Sequence, residues 1–380
     1  MSTVSGSSGA SGAGNGRPDA AASTAAPADT TAPAGLGTAA SAGAAPGMAL
    51  ADWCPAWAER LGDAYLAGTS CMFLLHGNVR DLVPLSASDG PAPAWGTVPD
   101  FLCREVFGRW DVVLAYDVGK GLRPLAGADA ARHREMVAWL TDRLGNAATW
   151  PRDPDQAIGV IDQLLERNLI DPPEKRKRIA VVLDYAQYLA PAGDNGGSKG
   201  AAGRLVRLLA WATNPLLRRV NVAVVLLADL MSEVHSRLVT CPAVTAIDVP
   251  LPDAAERERF AMATARSAGI PAAQDDAVRR MAALSAGLSL ESLRAVVTLS
   301  AREGTAPDGP EFAARKKDLI ERSCQGLVEF IQPRLSLDAV AGHEAAKARL
   351  ESDARAIKRG QFESAPMGYL ICGPVGTGKS

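Results

Sequence analysis

The sequence predicts an α/β fold in which a five-stranded parallel sheet carries helices on both faces and a small helical lid follows it. Two observations support this prediction. Five short apolar segments alternate with stretches of helical periodicity, and a long stretch of helical periodicity alone comes after them. Short runs of Val, Leu, Ile and Ala with little polar alternation are typical of strands that are buried on both faces of a parallel sheet.

The predicted strands and helices alternate along most of the chain. The five strands are predicted at residues 71–75, 111–116, 179–183, 222–228 and 244–249. Helical spacing of apolar residues predicts helices at residues 99–107, 129–144, 155–169 and 202–212. Glycine, proline, aspartate and asparagine indicate loops at residues 86–98 and 191–200 and a turn at residues 117–121.

The chain begins with a segment of low complexity. Of residues 1–50, 41 are Ala, Gly, Ser, Thr or Pro, which leaves too little apolar surface to offset the entropy cost of folding. We therefore predict a disordered tail at residues 1–49. Order is predicted to begin near Leu50, because Trp53, Trp57, Leu61 and Tyr65 recur every four residues and form one face of a helix.

The pattern becomes wholly helical after the fifth strand. Residues 253–302 have helical spacing with breaks at residues 269–271 and at Gly287, a further helix is predicted at 310–324, and a last strand at 368–372. The sequence thus predicts five units. They are the disordered tail (1–49), an α/β module (50–252), a helical lid (253–305), a linker helix (306–334) and the start of a second module (335–380).

Composition and charge exclude several function classes. The chain has 40 basic and 42 acidic residues and a formal net charge of −2, so it lacks the basic surface typical of nucleic-acid-binding proteins. Its cysteines and histidines show no metal-ligand spacing, which argues against a zinc site or a disulfide framework. Every apolar run is far shorter than the roughly 18 residues of a membrane span. We expect a cytoplasmic protein that binds neither nucleic acid nor a membrane.

The strongest chemical signal lies at residues 373–380. Their sequence, GPVGTGKS, matches the P-loop pattern GxxxxGK[ST] (Walker A), and the segment YLIC supplies the strand that must precede it. Backbone N–H groups of such a loop surround phosphate oxygens, the lysine contacts the β- and γ-phosphates, and the hydroxyl joins the Mg²⁺ shell. The predicted nucleotide-binding residues are Gly373, Pro374, Val375, Gly376, Thr377, Gly378, Lys379 and Ser380, with Ser380 also predicted to bind Mg²⁺.

The sequence stops directly after this loop. A complete site also needs the helix whose N-terminus holds the phosphates and the acidic strand that holds Mg²⁺ and polarises water. We therefore expect the chain to be a piece of a longer protein, with the beginning of a second P-loop domain at its end. By itself it is expected to contain no catalytic residues, to bind nucleotide weakly at most, and not to hydrolyse ATP.

The residues before the loop carry a resemblance to a known family. The segment LSLDAVAGHEAAKARL, at residues 335–350, resembles the entry segment of AAA+ ATPase modules. In that family the backbone of the corresponding Val-x-Gly stretch frames the adenine, so the resemblance assigns this role to Val340, Ala341 and Gly342. The chain departs from the family pattern at two positions, because Ala341 replaces a glycine and His343 replaces a hydrophobic residue.

Residues 70–302 resemble a first AAA+ module that has lost its nucleotide chemistry. The segments IDVPLPD (247–253) and LSAGLSLESL (284–293) resemble the family's junction into the lid and a segment within the lid. HGNVRD, at residues 76–81, stands in the place of the phosphate loop and has no GK[ST]. Asp184 stands at the Mg²⁺-facing aspartate, Tyr185 replaces the water-activating glutamate, and Asp229 replaces a polar sensor residue.

The chain as a whole resembles the amino-terminal part of a bacterial tandem AAA+ ATPase, similar to the chloroplast-encoded, sporulation-type and valosin-containing-protein-like ATPases. This resemblance implies ATP and Mg²⁺ as cofactors, a protein substrate or partner, and a homo-oligomeric ring, a hexamer. It implies that ATP hydrolysis in the second module drives protein remodelling. The alternative is a non-enzymatic adaptor whose pseudo-ATPase module binds a partner protein.

Overall fold

The computed structural model describes residues 53–86, 94–125, 129–193, 200–323 and 336–359, together with residues 366, 368–370 and 372. Two of the predictions fall elsewhere in the chain. The disordered tail predicted at residues 1–49 and the phosphate loop predicted at residues 373–380 lie outside the described residues.

Eight strands form two sheets in the described ranges: β1 (Met72–Gly77), β2 (Leu82–Leu85), β3 (Ala94–Thr97), β4 (Val112–Asp117), β5 (Gly121–Pro124), β6 (Ile179–Leu183), β7 (Val222–Ala228) and β8 (Val244–Val249). The large sheet has the order β5-β4-β6-β7-β1-β8, and β2 and β3 pair separately. Its neighbouring strands are parallel except for β4 and β5. Because β1 lies between β7 and β8, the residues that follow these three strands lie side by side at the carboxyl edge of the sheet.

The central strands explain why the sheet is covered on both faces. β6 and β7 consist only of Ile, Val, Leu and Ala, and every residue in them is buried. Consecutive side chains of a strand point to opposite faces, so apolar layers must lie on both sides. Val181 and Leu226 contribute to one layer, and Val182 and Val225 contribute to the other.

Twelve α-helices lie in the described ranges: α1 (Ala56–Leu66), α2 (Val98–Phe101), α3 (Ala130–Leu144), α4 (Pro154–Ile170), α5 (Ala186–Leu189), α6 (Ala201–Thr213), α7 (Ser236–Val239), α8 (Ala254–Ser267), α9 (Asp275–Leu284), α10 (Leu290–Glu303), α11 (Pro310–Ser323) and α12 (Glu344–Lys358). A π-helical segment, Leu102–Val106, continues α2. None of the described helices is long and apolar enough to cross a membrane.

Helices α8 to α11 form a separate apolar cluster, which includes Phe260, Met281, Leu293 and Phe312. We call residues 254–323 the helical region and residues 56–249 the sheet region. The helical region begins with a capping box, in which the Asp253 carboxylate accepts a hydrogen bond from a backbone N–H of the first turn of α8. Such a cap satisfies N–H groups that have no partner inside the helix.

The α/β fold predicted from the sequence is confirmed, with all five parallel strands close to their expected positions. Two local predictions were wrong. β3 and the start of α2 lie inside the loop predicted at residues 86–98, because the Trp95 ring packs on Phe260 at 4.9 Å and orders this stretch. The turn predicted at residues 117–121 is present, and an antiparallel edge strand, β5, follows it and makes a sixth strand in the sheet. A strand was predicted at 368–372, but its described residues, 368–370 and 372, pair with none of the described strands and form no strand.

Candidate functional site

Residues 76–81 comprise the last two residues of β1 and the loop that leaves it at the carboxyl edge of the sheet, where ligands bind in open α/β sheets. The Gly77 N–H donates to the Asp229 carbonyl at 3.1 Å, and the Asn78 N–H donates to the Val249 carbonyl at 2.8 Å. Gly77 has a φ of +94°, and a Cβ at this position would lie 2.8 Å from the Val249 oxygen. Only glycine fits there, so the loop is fixed against the ends of β7 and β8.

The Arg80 side chain joins the carboxylates that follow two other strands. Its Nη1 forms an ion pair with Asp184, after β6, and its Nε lies 2.6 Å from Asp229 Oδ1, after β7. Gln187 Nε2 donates to the second oxygen of Asp229 at 3.1 Å. The guanidinium also lies over the Tyr185 ring, 3.8 Å from its centroid. We call these five residues the Arg80 cluster.

The Arg80 cluster holds its arginine in the charged form. Burial of the guanidinium by itself lowers the pKa of Arg80, but the ion pairs with Asp184 and Asp229 outweigh burial and raise that pKa above its ordinary value. The positive charge therefore lies between the two carboxylates at neutral pH. Asp184 is the residue that the resemblance places at the Mg²⁺-facing position, and here a side chain of the chain itself is paired with it.

Tyr185 has the left-handed backbone conformation that non-glycine residues rarely adopt, with a φ of +54°. The Asp184 carboxylate accepts a hydrogen bond from the Tyr185 N–H at 2.8 Å and so supports this turn. The conformation places the ring under Arg80. Asp184 thus has two structural contacts, one to the guanidinium and one to the backbone of the next residue.

Asp81, the last residue of the loop, reaches the helical region. Its side chain is buried and accepts hydrogen bonds from the backbone N–H groups of Leu290, at 2.8 Å, and Glu291, at 2.9 Å. Asn78 Nδ2 donates to the same carboxylate at 2.8 Å. The loop that stands in the place of a phosphate loop therefore carries an anion of its own to the start of α10.

A small cavity of about 150 Å³ lies beside Asp81, and its lining includes Trp57, Asn78, Pro250 and Glu256. Pockets for drug-sized ligands usually measure roughly 300–1,000 Å³. The cavity is therefore too small for a nucleoside triphosphate. With no lysine in the loop and with Arg80 on the two carboxylates, the residues present do not fit ATP with Mg²⁺.

The turn after β4 confirms the prediction made for residues 117–121. Asp117 Oδ1 accepts a hydrogen bond from the Lys120 N–H at 2.7 Å, and its Oδ2 lies 2.6 Å from Arg123 Nη1. Burial opposes ionisation of Asp117, but these contacts outweigh it and lower the pKa of this carboxyl below its ordinary value. The glycines and lysine of this segment form a hairpin turn and no phosphate loop.

The residues predicted to bind nucleotide are only partly described. Val340, Ala341 and Gly342 form an exposed turn between a 3₁₀ helix, Leu337–Ala339, and α12. Gly342 has a φ of +74° and His343 has a φ of +59°, so two successive residues are left-handed before the helix begins. Residues 373–380 lie outside the described residues, and an adenine site at Val340 to Gly342 stays a prediction.

The partners of two residues at this edge, Arg80 and Asp81, were not predicted. The sequence shows that residues 76–81 lack GK[ST] but does not show what these two side chains contact. The contacts of Arg80 span 104 and 149 positions, and those of Asp81 span 209 and 210. The local signal is the adjacent pair of a basic and an acidic residue, Arg80 and Asp81, at the place of the phosphate loop.

Comparison with known proteins identifies two domains. A family model described as the AAA+ chaperone, N-terminal Rossmann-like domain matches residues 42–250, and a model described as the AAA+ chaperone, second helical domain matches residues 255–325. None of the curated proteins matches the chain.

Proposed function

The chain belongs to the AAA+ chaperone family, and on this basis we propose that it is part of a protein-remodelling ATPase whose first module is a scaffold without nucleotide chemistry. In this proposal the first module comprises residues 50–305. The second module begins at residue 335 and binds ATP and Mg²⁺. The protein works in the cytoplasm as a hexameric ring of a tandem AAA+ type and acts on a protein substrate.

The Arg80 cluster is the observation that carries the proposal. A nucleotide site in the first module needs room for a triphosphate and a free carboxylate for Mg²⁺. Arg80 pairs with both Asp184 and Asp229, and the cavity beside Asp81 measures only about 150 Å³. Binding ATP there requires breaking two ion pairs before any phosphate contact forms, and charged groups left without partners are costly.

The sequence at residues 373–380 supports the assignment of ATP to the second module. It contains each element of a phosphate loop, including Lys379 for the phosphates and Ser380 for Mg²⁺. Val340, Ala341 and Gly342 are the proposed adenine contacts. When bound, the metal and the lysine neutralise charge on the transferred phosphoryl group.

A second candidate function is a non-enzymatic adaptor that binds a partner protein through the first module. Exposed apolar side chains next to the Arg80 cluster favour it. Tyr188 directly follows Gln187, and Leu230 and Met231 directly follow Asp229; their exposed fractions are 65, 53 and 39%. Exposed apolar groups close together are typical of interaction surfaces. Both a scaffold and an adaptor would use this surface to bind protein, and the two roles differ in whether the protein hydrolyses ATP.

An ATPase assay on the protein with its complete second module tests the proposal. The variant Lys379→Ala is expected to lower turnover by about 100-fold or more, because it removes a charge from the reacting phosphates. Asp184→Asn is expected to leave turnover within about twofold of the parent, since the first module takes no part. Lys120→Ala is the matched control, because Lys120 also follows a glycine but lies in a hairpin turn.

Each variant separates two hypotheses. A loss of turnover in Asp184→Asn that equals the loss in Lys379→Ala contradicts the scaffold role of the first module. A protein that hydrolyses no ATP, with or without Lys379, contradicts the ATPase and favours the adaptor.

A further inference from the structure

The junction between the Rossmann-like domain and the helical domain contains a buried carboxylate at a helix N-terminus. Helix α10 has 14 residues and starts at Leu290. Its first N–H groups have no partner within the helix and carry the positive end of the helix dipole. Asp81, from the other domain, fills this position with one oxygen on the Leu290 N–H and the other on the Glu291 N–H.

The Asp81 carboxylate is held rigidly on its own side of the junction. Its exposed fraction is 4%, and Asn78 Nδ2 donates to it at 2.8 Å. The Asn78 N–H donates a hydrogen bond to the Val249 carbonyl, and the Gly77 N–H donates one to the carbonyl of Asp229, directly after β7. An anion that is supported in this way fixes the position of α10 relative to the sheet.

The apolar contacts across the junction, made by Leu82 and Trp95, are less directional. Trp95 packs edge to face on Phe260, which restrains distance more than orientation. Arg257 donates to the carbonyls of Pro252 and Ala282 and so holds the connection to its own domain. The two short N–H bonds of Asp81 are therefore the contacts that set the direction in which α10 leaves the junction.

We propose that Asp81 is an internal latch that closes the helical domain onto the Rossmann-like domain without any ligand. Helix N-termini are ready-made sites for anions such as phosphate. In this module a carboxylate of the chain already occupies that position. The two domains consequently move as one body, and the orientation of the helical domain does not depend on nucleotide. The latch is independent of whether residues 373–380 bind ATP.

Hydrogen–deuterium exchange on the 380-residue chain tests the latch. Two peptides report on it, residues 286–294 at the start of α10 and residues 250–256 at the connection between the domains. Asp81→Ala and Asp81→Asn are expected to raise the exchange rate in both peptides, by about tenfold or more at 286–294 for Asp81→Ala. Ala removes both charge-assisted hydrogen bonds, whereas Asn removes the charge and one of the two acceptor oxygens. In the parent chain, adding ATP with Mg²⁺ is expected to change neither peptide.

Ser289→Ala is the matched control. Ser289 Oγ accepts a hydrogen bond from the Ser292 N–H and caps the same helix from within its own domain. Its removal is expected to raise exchange at 286–294 and to leave 250–256 unchanged.

The latch is wrong if both Asp81 variants keep parent-like exchange at 250–256, or if ATP alone changes protection at 286–294. Far-UV circular dichroism checks folding, and Asp81→Asn decides the question if Asp81→Ala does not fold. The ATPase assay of the Lys379→Ala variant reports on the proposed ATPase separately, so the two proposals can fail independently.

Discussion

Two ion-paired clusters lie at the carboxyl edge of the same sheet and are built in different ways. In the turn after β4, Asp117 pairs with Arg123, only six positions away, and accepts the Lys120 N–H. In the Arg80 cluster, one guanidinium joins carboxylates that are 104 and 149 positions away. The local cluster closes one hairpin, whereas the long-range cluster connects the ends of β1, β6 and β7. The same chemistry thus stabilises a turn in one place and connects three strand ends in the other.

The largest expected effect is on the free energy of unfolding, when Arg80 and Arg123 are removed in separate variants. Arg80→Ala leaves two carboxylates without their cation, and the Asp184 side chain is only 14% exposed. We expect the free energy of unfolding to fall by about 2–3 kcal/mol, below the usual value for fully buried pairs because Arg80 is partly exposed. Arg123→Ala leaves one carboxylate, which keeps its bond from the Lys120 N–H, and is expected to cost about 1–2 kcal/mol. Urea unfolding of both variants measures the difference. An equal or smaller cost for Arg80→Ala contradicts the view that this cluster connects three strand ends.

The acid dependence of the local cluster provides a second, smaller test. The pKa of Asp117 in the folded chain lies below its ordinary value of 3.8. The carboxylate therefore contributes its full stabilisation above about pH 4, and this contribution is lost as the pH falls through the folded-state pKa. Asp117→Asn is expected to lower the melting temperature at pH 7, and its difference from the parent should shrink as the pH falls from about 4 to about 2. Thermal melts across this range measure it, and a constant difference down to about pH 2 contradicts the role of the charge.

The difference between local and long-range contacts also explains which elements of the fold could be predicted from the sequence. The five parallel strands are continuous apolar runs, and their periodicity alone identifies them. The pair β2 and β3 contains Pro84 and Gly96, residues that weaken the sequence pattern of a strand. This pair is held in place by the packing of Trp95 on Phe260 of the helical domain. Such a contact between distant segments leaves no local signal.

The same limit applies to the candidate site. The turn at residues 117–121 was predicted because its glycines are a local signal, and the partners of Asp117 lie within six positions of it. Asp184 and Asp229 were located at the ends of buried strands because a strand end is a local feature. The partner of both, Arg80, was not predicted, since only the strand order brings residues 80, 184 and 229 together.

The smallest expected effect separates backbone strain from charge within the Arg80 cluster. Tyr185 has a φ of +54°, which costs an L-residue other than Asn, Asp or Gly roughly 1 kcal/mol, while its ring gains about 0.5–1 kcal/mol from the guanidinium at 3.8 Å. Tyr185→Asn relieves the strain and loses the stacking. We expect it to change the stability of the parent by less than about 0.5 kcal/mol.

In the Arg80→Ala variant the Tyr185 ring has no guanidinium to stack on, so relief of the backbone strain outweighs the lost stacking. There Tyr185→Asn is expected to stabilise the chain by about 0.5–1 kcal/mol, and a double-mutant cycle in urea measures the coupling between the two side chains. Tyr188→Asn in both backgrounds measures what the contact between the two tyrosine rings contributes, since their centroids lie 6.3 Å apart. If Tyr185→Asn destabilises both backgrounds equally, the left-handed turn carries no strain that Arg80 compensates. The long-range cluster then differs from the local one only in the span of its ion pairs.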